Sequence, residues 1–324
     1  MSRIAVVLAT HNGARHLSEQ LRSIAAQTRR PDLVVVADDA STDATLALVE
    51  RELEGALPFT VLTSPTPLGV RGNFSRALDA AALEADVLIL SDQDDRWYPN
   101  RVAAAADYFD THPDVALVFG DADLIDDAGT RLPGTLFQTL PLHQHERDAV
   151  ETGRAFEVFL RRNLATGMTM AFRADLWRRA APIPEGWIHD EWLAVIAAAE
   201  TRIGIITDPL VEYRLHASNQ IGVSRPTLRR KLDRVLSPRG NRNRGLRDRT
   251  AALVAHLDGR DSEIDASIRA AARGKLRIET FRAELPDRRI RRFFPVLREA
   301  TRGDYARFTS QGNTEILRDL FQPR

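Results

Sequence analysis

The sequence predicts an α/β protein with a mostly parallel sheet flanked by helices, followed by a helical C-terminal region. Three observations carry this. The first half alternates short, wholly apolar runs with amphipathic stretches, the pattern of strands covered on both faces and joined by helical crossovers. Those runs end in acidic or polar clusters. After about residue 221 the strand signals stop and the chain becomes Arg-rich.

Ile4–Ala9 is a continuous apolar run and reads as a buried strand, broken by Thr10-His11-Asn12-Gly13. Leu17, Leu21 and Ile24 recur at helical spacing through Gln27, and Pro31 ends that helix. Leu33–Ala37 is a second strand. Asp39-Ala40-Ser41-Thr42-Asp43 forms a turn that can also cap a helix over 44–52. Phe59–Leu62 reads as a third strand, Gly69 and Gly72 as a loop, Phe74–Leu83 as a helix, and Val87–Leu90 as a fourth strand. Val115–Phe119, Thr166–Phe172 and Ile203–Ile206 read as further strands and Asp190–Ala199 as a helix. Residues 129–150 are turn-rich and read as a long loop over the carboxyl edge of the sheet. In such sheets ligands bind beyond the carboxyl ends of the strands, where Thr10, Asp38, Asp39 and the Asp92–Asp95 cluster fall.

Composition is ordinary for a globular chain, with 44% hydrophobic and 28% charged residues. There is no cysteine, which excludes disulfides, thiolate zinc sites and cysteine nucleophiles and suits a reducing compartment. The apolar start is too brief for a signal peptide, and no run approaches the ~20 residues of a membrane span. The expectation is a cytoplasmic protein. The neutral total hides an asymmetry: residues 221–324 carry 25 Lys and Arg against 13 Asp and Glu. This basic region could face an anionic membrane surface or a polyprenyl pyrophosphate, with Arg288, Arg289, Arg291 and Arg292 as the candidate contacts; a solvated helical region or a subunit interface would have the same composition. Phe281, Phe293, Phe294 and Phe308 supply its apolar material. No base-stacking pattern points to nucleic acid.

Leu88-Ile89-Leu90-Ser91-Asp92-Gln93-Asp94-Asp95 delivers carboxylates at i and i+2 to a strand end. Hard cations such as Mn²⁺ or Mg²⁺ take one or two carboxylates plus phosphate oxygens, so the pattern suits a nucleotide diphosphate held through metal; a solvated acidic turn would look the same. Val34–Asp43 is a second strand ending in acids, which could accept from a ribose or base or cap the next helix. Gly186-Trp187-Ile188-His189-Asp190-Glu191-Trp192 sets an acid at a helix start between two tryptophans, suited to general-base work near an apolar sugar face, or again to capping. His216 could complete a metal site through a ring nitrogen or be structural.

Taken together, THN after the first strand, VVVADDASTD, LGVRGNFSRAL, LILSDQDDRWYPNRV, NLATGMTMAFR, WIHDEWL and YRLHASNQIG closely resemble the family 2 glycosyltransferases of GT-A fold, nearest the rhamnosyltransferase-like bacterial members that build surface polysaccharides. The resemblance covers about residues 3–222. It implies a GT-A domain over 1–222, a basic helical region over 223–324, and metal-dependent inverting transfer from dTDP-rhamnose or a UDP-sugar to a glycan or lipid-linked acceptor. It also implies roles. Thr10, Asn12, Asp39 and Asp38 would hold the nucleoside, and Arg71, Gly72 and Asn73 would line the donor pocket. Asp94 would be the direct metal ligand, with Asp92 nearer the ribose or sugar and able to join the metal. His216 would reach the metal or diphosphate. Gly167 and Met168 would sit under donor sugar or acceptor, and Asp190 would be the base. Two departures stand out. Many relatives have an acid where this chain has His189, and Glu191 follows Asp190 directly and could share the role. The competitors are a sugar nucleotidyltransferase, whose Gly-rich basic loop is missing from HNGAR, and a degenerate transferase that only binds sugar nucleotide or glycan.

Overall fold

The computed structural model describes residues 2–216, 238–260 and 262–323. Strand β1 (Ile4–Thr10) leads to helix α1 (Leu17–Ala25), β2 (Leu33–Asp38) to α2 (Thr45–Leu53), and β3 (Phe59–Thr63) to α3 (Gly69–Glu84). β4 (Val87–Ser91) and β5 (Arg96–Trp97) are followed by α4 (Arg101–Thr111), β6 (Val115–Gly120), β7 (Asp123–Ile125) and β8 (Arg131–Thr135). Next come α5 (Leu136–Thr139), α6 (Gln144–Glu151), α7 (Phe156–Arg161), β9 (Ala171–Arg173), α8 (Ala174–Ala180), α9 (His189–Glu200), β10 (Arg202–Ile206) and β11 (Val211–Arg214).

The main sheet has seven strands in the order β10-β6-β9-β4-β1-β2-β3. All run parallel except β9, which lies antiparallel between β4 and β6. Ile4 through Leu8 are 0% exposed, as an unbroken apolar run demands when helices cover both faces. A small second sheet, β5-β11-β7-β8, holds the segment after β4. Because β5 and β11 pair antiparallel, the acids that follow β4 lie next to the residues that follow β11.

Three local expectations are corrected. Helix α3 starts at Gly69 rather than near Phe74: the Asp39 carboxylate accepts from the Leu68 N–H (2.6 Å) and the Gly69 N–H (2.9 Å) and so caps a helix that glycines alone would not start. Residues 129–150 are not one loop. They contain β8, which pairs with β7, and helices α5 and α6, the latter closed by a capping box of His143 and Glu146. Gly167–Thr169 form a 3-10 turn where a strand was expected, because the Gly167 N–H turns toward Asp190 and Thr169 bonds back to Thr166.

Among the described residues the chain forms two compact units. The first holds 2–153, 164–183 and 188–216. The second holds 238–260 and 262–323 together with 154–163 and 184–187, two stretches the sequence reading kept in the catalytic domain. The expected boundary at 222 and the end of YRLHASNQIG lie outside the described residues. The second unit contains α7 and the helices α10 (Arg242–Asp258), α11 (Ala266–Ala283), α12 (Arg289–Ala300), α13 (Asp304–Phe308) and α14 (Thr314–Phe321). Its centre is partly ionic. Arg282, 1% exposed, pairs with Glu279, Glu315 and Asp319, and the Tyr305 hydroxyl donates to Asp319 at 2.8 Å. So many partners are what a buried guanidinium requires. Arg292, expected at an anionic surface, is 0% exposed and donates to the carbonyls of Pro286, Asp287, Asp319 and Gln322. Of the four phenylalanines that supply the unit's apolar material, Phe293 and Phe294 are exposed.

Candidate active site

The carboxyl ends of β1, β2 and β4 meet, and hydrogen bonds lock their turns together. Thr10 Oγ1 donates to Asp38 (2.8 Å), whose carboxylate also accepts from the Ser41 N–H (2.9 Å) and hydroxyl (2.6 Å). Asn73 Nδ2 donates to the carbonyls of Ala37 (2.7 Å) and Thr10 (3.3 Å). Thr10, Asp38 and Asn73 are each at most 3% exposed. Their polar atoms are therefore turned into the fold, where they brace the floor of the site, and Asp39 is engaged on α3. Asn12 and Arg71 are the exposed members of the expected donor set. Asn12 (φ 47°) and Ala40 (φ 59°) lie in the left-handed region, strained for Ala40. The Asn12 N–H to Ser41 Oγ and the Thr42 N–H to Asn12 Oδ1 hold the two turns in place. Arg71 donates to the Ile183 carbonyl at 3.1 Å.

At the end of β4 the acids crowd. Asp94 Oδ2 lies 2.8 Å from His216 Nε2. Asp92 makes no carboxylate hydrogen bond among the described residues, and its pKa is pushed up to about 7, first by burial and then by the charges of Asp94 and Asp190, against the pull of Arg101. Asp95 is fully buried, accepts from the Arg214 N–H, and is held well above the usual carboxylate range by burial and by Asp94 and Asp92. Arg101 packs over the Trp97 ring at 4.3 Å, and burial draws its pKa down to about 9.

Asp190 is the second residue of α9. Its Oδ2 accepts from the Gly167 N–H at 3.3 Å and its Oδ1 from the Glu191 N–H at 2.7 Å. A Cβ on Gly167 would stand 2.9 Å from His189 Nε2, so the close approach of the 3-10 turn to α9 requires glycine there. The two tryptophans expected to flank a sugar are structural. Trp192 is 0% exposed and donates to the Ala180 carbonyl; Trp187, 7% exposed, donates to the Arg249 carbonyl.

His189 stacks on Phe74 (3.8 Å between ring centres), and burial pushes its pKa down to about 3 from the usual 6.5. A depressed pKa means that the unfolded chain binds the proton more readily. The stability is therefore complete above pH 6.5 and is lost as pH falls toward 3, at about 1.4 kcal/mol per unit. At pH 5 the loss is about 2 kcal/mol. His189→Leu removes that term, so urea unfolding should show a pH 7 to pH 5 difference smaller by about 2 kcal/mol than in the wild type.

Sequence reasoning missed Gln93 and Arg214. Gln93 Oε1 accepts from the His11 N–H and its Nε2 donates to the His11 carbonyl, clamping β4 to β1. Arg214, 1% exposed, pairs with Glu19 and donates to the carbonyls of Asp94, Asp126 and Asp127. The signal for Arg214 was its place two residues before His216, on the same side of an extended chain.

A mostly parallel sheet with one reversed strand and flanking helices, with acids after β4 and a histidine just past β11, has the fold of a GT-A glycosyltransferase. The chain belongs to glycosyl transferase family 2, whose family model matches residues 5–173. An uncharacterized protein of Mycobacterium tuberculosis is 29% identical over 223 residues, 66% of this chain and 59% of that protein. The chain thus spans less than two thirds of that curated relative's length. A dTDP-rhamnosyl transferase of Shigella flexneri is 36% identical over 120 residues, 36% of this chain and 38% of that one. In fold, the chain is similar to a mannosyltransferase of Pyrobaculum calidifontis solved with GDP-Man and Mn²⁺, with a TM-score of 0.50 and 21% identity over 78% of this chain and 64% of that one. Among the described residues no helix is long and apolar enough to cross a membrane.

Proposed function

We propose that this protein transfers a sugar, with inversion, from a nucleotide-diphosphate donor to a hydroxyl of a glycan or polyprenyl-pyrophosphate-linked acceptor in surface polysaccharide synthesis. One observation carries the reading: Asp92 and Asp94 follow β4, the charge of Asp190 on α9 acts on Asp92, and His216, after β11, lies 2.8 Å from Asp94. The Shigella flexneri relative supports dTDP-rhamnose as the first donor to try, with UDP-sugars next.

The residues fit a hard divalent cation. No group of three or more acidic or histidine side chains that could hold a metal lies among the described residues; Asp94 and His216 would leave the remaining positions to diphosphate and water oxygens. Asp94 and His216 would hold Mn²⁺ or Mg²⁺, with Asp92 beside them or on the ribose. When bound, the cation would neutralise charge on the departing diphosphate. Asn12 and Arg71 would contact the donor over the floor built by Thr10, Asp38, Asp39 and Asn73, and Gly167 would line the sugar side. Asp190 would take the acceptor hydroxyl proton as that oxygen bonds the anomeric carbon, while the bond to the diphosphate breaks and the diphosphate keeps the electron pair. Asp190 lies in the first turn of α9, where the helix dipole favours negative charge.

The test is a thermal-shift and product-release screen of dTDP-, UDP- and GDP-sugars with Mn²⁺, Mg²⁺ or EDTA. One nucleotide class should stabilise the protein with metal and not with EDTA. No response to any donor would overturn the reading.

A further inference from the structure

Helix α12 is turned inside out. Its inward side carries Arg292, Val296 and Glu299, all buried. Its outward side carries Ile290, Phe293, Phe294 and Leu297, which are 85%, 49%, 79% and 42% exposed. This i, i+3, i+4, i+7 spacing forms one apolar stripe along a helix, and here the stripe faces solvent. The cause lies on the other side. The Arg292 guanidinium is fixed by the carbonyls at 286 and 287 and by those of Asp319 and Gln322 at the end of α14. With that polar anchor facing inward, the stripe must face outward. On α14, which packs beside α12, Leu317 and Phe321 are half exposed as well. Single exposed apolar residues are normal, but a run of them on adjoining helices marks an interaction surface.

The occupant is indicated by the charge around the stripe. Arg288, Arg289, Arg291 and Arg298 are exposed, and among the described residues none has an acidic partner. By contrast, Arg282 and Arg292 in the same unit are fully committed within the fold. An apolar stripe with large aromatic side chains, edged by unpaired arginines, matches the two requirements of a helix lying in the headgroup layer of an anionic bilayer. We propose that α12 is an interfacial membrane anchor. Ile290, Phe293, Phe294 and Leu297 enter the acyl boundary, and Arg288, Arg289, Arg291 and Arg298 meet anionic headgroups. The inference deepens the acceptor side of the proposed function, since a polyprenyl-linked acceptor lies in such a surface. Its test needs no donor, so either can fail alone.

The full-length protein is floated with vesicles of phosphatidylcholine alone and of phosphatidylcholine with phosphatidylglycerol. Binding is expected to the anionic vesicles and to be weaker by about 10-fold or more on the neutral ones. Phe293→Ser with Phe294→Ser should weaken binding to anionic vesicles by about 10-fold or more, and Phe293→Leu with Phe294→Leu should restore most of it. Neutralising Arg288, Arg289 and Arg291 to Gln should abolish the preference for anionic lipid. Ligand-free melting temperatures should stay as in the wild type in every variant, which shows that the fold is kept. Phe294→Trp should give an indole emission that shifts to the blue on anionic vesicles. The proposal is overturned if the wild type binds neither vesicle, or if the serine variant binds as well as the wild type. It is also overturned if sedimentation shows a self-associated species that the serine variant dissolves and vesicles do not compete for, because the stripe would then belong to a second copy of the chain.

Discussion

Asp190→Asn is expected to lower sugar transfer by about 10²–10⁴-fold, the range that a positioned general base contributes, and to leave metal-dependent donor binding intact. The side chain meets backbone N–H groups on both oxygens, at Gly167 and at Glu191. An amide keeps one acceptor and the shape, so the main loss is the ability to take a proton. A modest fall in melting temperature is expected from the amide NH₂ set against one N–H donor. Donor thermal shifts and single-turnover transfer, measured together, separate the two effects. Glu191→Gln is the companion variant. If it loses transfer and Asp190→Asn does not, the base is Glu191 and the helix start has been read one residue out of place.

The framework was legible because apolar runs and the turns that end them obey short-range rules. β1, β2, β4, β6 and β10 fall where the apolar runs lie, and α9 begins one residue before the predicted start. What the sequence hid depends on contacts distant in the chain. The start of α3 is set by Asp39, some 30 residues earlier, and glycines at 69 and 72 looked like a loop without that cap. β5, β7 and β11 are two to four residues long, and only their pairing within the second sheet makes them strands. Within the candidate site, the sequence singled out Asp92, Asp94, Asp190 and His216 but did not separate exposed side chains from those that build the floor. Thr10, Asp38 and Asn73 have the polar character of ligand contacts and spend it on one another and on the strand ends. Trp187 and Trp192 looked like a sugar platform because nothing local reveals that their indole N–H groups are claimed by Arg249 and Ala180.

Asp94→Ala is expected to abolish the metal-dependent part of donor binding. Outer-sphere partners of a metal are worth about 10–100-fold in affinity, so a directly coordinating carboxylate should cost about 100-fold or more. His216→Ala should act in the same direction and less severely, since a neutral imidazole contributes no charge toward the cation. Stability separates this from damage to the fold. Asp94 raises the pKa values of Asp92 and Asp95 through its negative charge, so its removal relieves repulsion among three neighbouring acids and offsets the lost pair with His216. Ligand-free Asp94→Ala should therefore melt no lower than the wild type, while the stabilisation by nucleotide sugar and Mn²⁺ disappears. A variant that melts lower and still responds to donor with metal would place the cation elsewhere. A variant that melts lower and has lost the response would show that the Asp94 carboxylate holds its turn in place through His216, and that its loss acts through the fold. The ligand-free melting temperature separates a metal ligand from a structural residue, and the donor response read beside it assigns the metal ligand.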